Sequence, residues 1–137
     1  MLLSTSIKVA MVDALFNQPE YLGAKKMLDA VALRQEAIAS NIANLETPGY
    51  KRIDLAPSFQ SELQRACANQ DSQQIADLRP SLAPDPNAVP VGLDGNTVSL
   101  EQELALMNQN TLTHTLETQL VSGTLLRLKM AISGKSA

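Results

Sequence analysis

The chain has 137 residues, 45% of them hydrophobic but only 3% aromatic, and a formal net charge of −3. It is one domain at most, its apolar content is mostly Leu, Ala, Val, Ile and Met, and packed helices suit it better than an aromatic-lined pocket. The net charge provides no basic field for nucleic acid, and the single cysteine, Cys67, excludes an internal disulfide and any multi-cysteine metal site.

The opening "MLLSTSIKVAMVDALF" is mildly apolar, but no basic stretch precedes it and Ser4, Thr5, Ser6 and Lys8 interrupt it. It does not read as a cleaved signal peptide. No run reaches the ~20 apolar residues that span a bilayer, so membrane insertion is not expected. Residues 1–10 add nothing to the later pattern, which makes Met11 an alternative start. Residues 1–21 form a leader and a short helix up to Phe16, with a break at Pro19 and Gly23.

A long helix is predicted over 22–45. Ala24, Leu28, Val31, Gln35, Ile38, Ile42 and Leu45 recur at alternating spacings of three and four, a coiled-coil-like seam. Gln35 either fixes register from a buried position or lies solvated at the seam's edge. The helix ends at "NIANLETPGYKR": Asn44 suits a C-terminal position, Thr47 is pushed to extended geometry by the proline after it, and Pro48-Gly49 suits the centre of a type II turn. Tyr50 follows as an amphipathic anchor, and Lys51 and Arg52 supply charged donors.

Residues 46–98 hold this turn, one short helix at "PSFQSELQRACA" with Phe59 and Leu63 facing a partner, and a polar linker. Pro80, Pro84, Pro86 and Pro90 exclude a helix there, so the remainder reads as loop, with a small hairpin through Asp94-Gly95 flanked by Val91 and Val98. A second long helix runs over 99–133, followed by a tail, 134–137. Ser99 and Gln102 form its capping box, and Glu101 and Glu103 suit the positive end of its dipole. Leu100, Leu104, Met107, Thr111, His114, Thr118, Val121, Leu125, Leu128 and Ile132 continue the three-four alternation, while Leu112, Leu116 and Leu120 form a row on another face. A helix apolar on two sides needs more than one neighbour. The predicted class is all-α: two long terminal helices packed as a coiled-coil-like pair through Leu28, Val31, Ile38 and Ile42 on one side and Leu104, Met107, Val121, Leu125, Leu128 and Ile132 on the other.

Catalytic chemistry finds no support. His114, the sole histidine, lies on the apolar seam, where a packed or interface imidazole is the expectation; the six glycines are scattered and form no phosphate loop; Cys67 reads as a buried structural thiol. No enzyme activity, cofactor or metal is expected.

"SNIANLETPGYKR" resembles the signature of bacterial flagellar rod and hook proteins, in which an N-terminal helix ends in Ala-Asn, two variable residues and Thr-Pro-Gly-Tyr-Lys. The matching residues are Ala43, Asn44, Thr47, Pro48, Gly49, Tyr50 and Lys51, with Asn41 just before them. The segment from Asn87 to Ile132 resembles the C-terminal helix of the proximal rod type through Asp94-Gly95-Asn96, Val98, Leu100-Glu101, Glu103, Met107, Asn110, Ser122-Gly123 and Ala131-Ile132. His114 departs from it, standing where such proteins commonly carry tyrosine. The resemblance covers residues 11–133, and the short length points to the proximal type over distal rod and hook proteins. It implies a structural subunit of the rod in the periplasmic space, exported through the flagellar type III apparatus without a cleaved signal peptide. The implied partners are copies of itself, other rod proteins, and the basal-body MS ring or its adaptor, with the turn meeting a neighbouring subunit. A cytoplasmic helical adaptor or export chaperone matches the composition equally well, but has no need of the Thr47–Lys51 turn.

Overall fold

A computed structural model describes residues 2–134. Five helices and two short strands follow in the order α1 (Leu2–Phe16), α2 (Pro19–Ala43), β1 (Ile53–Leu55), α3 (Pro57–Ala68), α4 (Ser72–Asp77), β2 (Leu82–Pro84) and α5 (Leu100–Ser133). The fold is mostly helical rather than all-α. The predicted tail beyond Gly134 lies outside the described residues.

α2 and α5 lie antiparallel and make the most extensive contact in the molecule. The helices are interrupted at Asn17–Gln18, immediately before Pro19, which is the first residue of α2, where its missing N–H costs nothing. Gly23 is not a break. It is buried inside α2, and a Cβ there would come within 3.1 Å of Cys67 Sγ on α3, so the bare backbone is what lets the two helices approach.

The core is built mainly by small residues and the linker. Ala30, Phe59, Leu63, Ala66 and Ile75 form the central cluster, with Leu22, Met27, Leu55, Cys67 and Leu78 against it. Phe59 and Leu63 face the partner that the sequence left open, α2. The linker expected to be loop contains α4, capped by Asp71, whose carboxylate accepts from Gln74 N, and its fully buried Ile75 repays the turn. It also contains β2, which pairs antiparallel with β1 in the register Ile53↔Pro84, Asp54↔Ala83 and Leu55↔Leu82. The expected hairpin between Val91 and Val98 is replaced by this pairing across the linker. Val91 N instead donates to Asn96 O within a bend, 2.8 Å.

α5 begins as its capping chemistry indicates, with Ser99 Oγ accepting from Gln102 N, and ends at Gly134 with φ 65°. Its 34 residues span about 50 Å. The contact with α2 takes a face of α5 that departs from the expected seam. Glu103 and Asn110 are buried, and Met107, Thr113, Glu117, Val121, Thr124 and Leu128 are partly covered, whereas Leu104, Leu125 and Ile132 are exposed. On α2, Val31 and Ile38 are buried and Leu28 and Ile42 half-buried, but Ala24, Ala30, Ala37 and Asn41 are buried with them. The inward face of the pair is thus drawn by small and polar residues. Gln35 is exposed at its edge, with Oε1 accepting from Asn110 Nδ2, which also donates to Val31 O. His114 is exposed on α5 beside Gln35 and Asn110.

Candidate functional site

The end of α2, the turn after it and the approach to α5 form one hydrogen-bonded unit. Asn44 closes α2, its Nδ2 donating to Ser40 O. Tyr50 N donates to Thr47 O at 3.2 Å, and Gly49 has φ 71°, which makes Thr47–Tyr50 a type II turn with glycine where positive φ is required. A Cβ at Gly49 would touch nothing within 4 Å. Gly49→Val therefore acts through backbone strain alone, and is expected to cost about 1–2 kcal/mol, while Gly49→Asn costs markedly less; urea unfolding of the two variants separates them.

The turn docks on residues 94–97 of the same chain. Gly49 N donates to Asp94 O, Thr97 N to Tyr50 O, and Arg52 N to Thr97 Oγ1. Asn96, buried, directs Nδ2 to the carbonyls of Asn44, Leu45 and Thr47 at 2.8–3.0 Å, satisfying the acceptors left where α2 stops. Gly95, with φ 76°, passes close to Gly49, and a Cβ on it would lie 3.9 Å from Gly49 Cα. The Thr-Pro-Gly-Tyr and Asp-Gly-Asn segments, both part of the resemblance, are two halves of one joint.

Tyr50 folds back onto α2, its hydroxyl 3.1 Å from Ser40 Oγ and donating to Asn41 Oδ1. Asn41 is fully buried: Oδ1 also accepts from Ile53 N, and Nδ2 donates to Ile53 O and to Glu103 Oε2. Ala43, Thr47, Pro48, Gly49 and Lys51 are exposed, and Lys51 Nζ reaches Gly95 O at 3.1 Å.

Arg52, which pattern reading treated only as a charged donor beside Lys51, is the hub. Its side chain is 2% exposed and its guanidinium donates through Nε to Glu103 Oε1 (2.6 Å), through Nη1 to Asp85 Oδ2 (2.6 Å) and through Nη2 to Asp54 Oδ2 (2.9 Å). Arg34 on α2 grips Asp54 from the other side with two bonds of 2.8 and 3.0 Å. The cluster ties α2, β1, the linker and α5 into one knot. Burial by itself lowers the affinity of Arg52 for its proton, but the bonds to Asp54 and Glu103 and their charges outweigh it, and the guanidinium is held above its ordinary range. Burial likewise raises Asp54, and the hydrogen bonds from Arg34, Arg52 and Leu55 N outweigh it, holding the carboxyl below the ordinary carboxylate range. Because the folded value lies below the unfolded one, near 3.9, the stability Asp54 contributes is fully present above about pH 4 and is lost as pH falls through the folded value. Asp54→Asn is expected to flatten that part of the acid limb of a urea-midpoint against pH curve.

Every described buried side-chain N or O atom has a hydrogen-bond partner. The polar groups of the joint are spent on one another, and what this arrangement does is hold a geometry.

Outside the joint, Leu112, Leu116 and Leu120 stand 61%, 54% and 60% exposed along one side of α5. Cys67 is half-buried; burial, and secondarily the charge of Glu20, push its thiol up. Among the described residues no helix is long and apolar enough to cross a membrane.

Comparison with known proteins places these features. The family model described as "Flagella basal body rod protein" matches residues 28–51, from mid-α2 through the turn. The flagellar basal body rod protein FlgB of Borrelia hermsii is 30% identical over 115 residues, covering 71% of this chain and 83% of that protein. FlgB of Escherichia coli K12 is 30% identical over 115 residues, 72% of this chain and 82% of its own. FlgB of Cereibacter sphaeroides is 33% identical over 111 residues, 74% and 84%.

Proposed function

This chain belongs to the flagellar basal body rod proteins, and from that membership we propose that its terminal helices are the surfaces through which it enters the axial tube. It is a structural subunit of the proximal rod, located in the basal body and assembled with other rod proteins. The supporting observation within the chain is the division of labour along α5. Its first turns are held by Glu103 in the joint and by Asn110 against the middle of α2, while Leu112, Leu116 and Leu120 are each more than half exposed along one side. In the tube these rows are buried by neighbouring subunits, and the joint keeps α2 and α5 at a fixed angle so that torque passes through the subunit without bending it. Its role is mechanical, with no reaction catalysed.

The exposed outer residues of the turn, Thr47, Pro48 and Lys51, meet a neighbouring subunit, while Tyr50 serves its own subunit by fixing the turn to α2. The base of the assembly contacts the MS ring or its adaptor. The subunit reaches the periplasmic part of the rod through the flagellar type III export apparatus without a cleaved signal peptide. Deleting the coding sequence is expected to abolish swimming and rod formation, and the tagged chain is expected in the basal-body fraction. A purely cytosolic pool would instead identify an adaptor or export chaperone.

A further inference from the structure

The two ends of the α2–α5 pair carry unlike surfaces. At the end where α2 stops, Val89, Val91 and Leu93 rise into solvent, and Leu93 is 111% exposed, more open than in an extended reference chain. The tip has a braced base: Val91 N donates to Asn96 O, Asn96 N to Asp94 Oδ1, and the exposed Lys51 ammonium lies against Gly95 O. At the start of α2, a cleft of about 380 Å³ opens between α2, α3 and α5. Gly23, Met27, Leu63, Cys67 and Leu120 line it with apolar atoms, and Glu20 and Glu117 carry its charge. Burial raises the Glu117 carboxyl, and it makes no ion pair among the described residues. Along α2 the two surfaces are separated by about 30 Å.

We propose that the Val89–Leu93 tip of one copy of this chain seats in the α2–α3–α5 cleft of the next copy, with Lys51 of the first against Glu117 of the second. The complementarity is both apolar and electrostatic: a projecting valine-leucine tip against an open apolar cleft, and an exposed ammonium beside the tip against a carboxylate without a cation. Because the surfaces are different and lie at opposite ends, the contact is heterologous. It leaves a free tip on one copy and a free cleft on the other, and so propagates where a two-fold dimer would close. This contact presupposes that the chain is a rod subunit, and it specifies which surfaces successive copies use.

Cys67 in the cleft makes the contact readable. Basal bodies from cells carrying Leu93→Cys, and separately Val91→Cys, are oxidised with copper phenanthroline and run on a non-reducing gel. A ladder of covalent dimers, trimers and higher species is expected from at least one variant, absent when Cys67→Ser is added. In that variant Glu117→Lys is expected to reduce the ladder several-fold, and Lys51→Glu in addition to restore it. Only monomer from both cysteine variants, with the chain present in the basal bodies, overturns the contact and leaves the rod assignment standing. Absence of the unmodified chain from basal bodies overturns the rod assignment itself.

Discussion

Arg52→Ala is expected to lower unfolding stability by about 3–5 kcal/mol, a large share of the roughly 5–15 kcal/mol that holds a domain together. The reason lies in what the substitution leaves behind. Glu103 is 0% exposed, and without the guanidinium its carboxylate keeps only the Asn41 amide as a partner. Asp54 retains Arg34, and Asp85 is partly open to water, so Glu103 dominates the loss. Arg52→Lys keeps the charge but cannot fork toward three carboxylates. It is expected to lose about 2 kcal/mol, since a charge-assisted bond contributes roughly 1.5–3 kcal/mol. Equilibrium urea unfolding measures both. The double variant Arg52→Ala, Glu103→Ala is expected to cost less than the sum of its two single changes, because removing both partners removes the uncompensated buried charge.

Asn41→Ala is the second large effect, at about 3 kcal/mol. The amide serves both backbone groups of Ile53, the Glu103 carboxylate and the Tyr50 hydroxyl from a position with no access to water. Truncation takes this partner from both Ile53 groups and from Glu103 Oε2, at roughly 1–3 kcal/mol each before relaxation, while Arg52 still holds Glu103 Oε1 and Ser40 the Tyr50 hydroxyl. Thermal unfolding of the variant reads the loss. Asn41→Asp is expected to be at least as damaging, because it brings a second carboxylate beside Glu103 and removes the donor that faces it.

Neither residue's role follows from its local pattern. The turn could be read because its chemistry is local: Thr47, Pro48, Gly49 and Tyr50 specify a type II turn among themselves, and Ser99 with Gln102 marks the start of α5 in the same way. Arg52 meets partners 33 and 51 residues away, Asp85 and Glu103, which no spacing rule connects to it. Beside Lys51 it read only as a second charged donor, yet Arg52 is buried and Lys51 exposed. Asn96 closes α2 from 52 residues downstream. Its signal lay in the resemblance of the Asp94-Gly95-Asn96 segment, not in any periodicity.

The face of α5 was misplaced for a related reason. A count of large apolar residues selects Leu100 and Leu104, but the charge on Arg52 pulls Glu103 inward, and the edge of α2 pulls in Asn110, which rotates the packed face over the first turns. Beyond Thr113 the polar ties end; Val121 and Leu128 are partly covered there, while Leu125 and Ile132 stay exposed. On α2 the alanines pack most closely, so Ala30 and Ala37 are more buried than the larger Leu28 and Ile42. α4 escaped notice because six residues with one large apolar side chain, Ile75, carry too little periodicity to distinguish a helix from a polar loop.

Imaging isolated basal bodies by electron cryomicroscopy at side-chain resolution tests the rod-subunit account most directly. The account predicts this chain in the proximal rod, with the Arg52 joint intact and Leu112, Leu116 and Leu120 buried against neighbouring subunits. A rod that lacks the chain, or one in which that leucine row remains open to solvent, would contradict it.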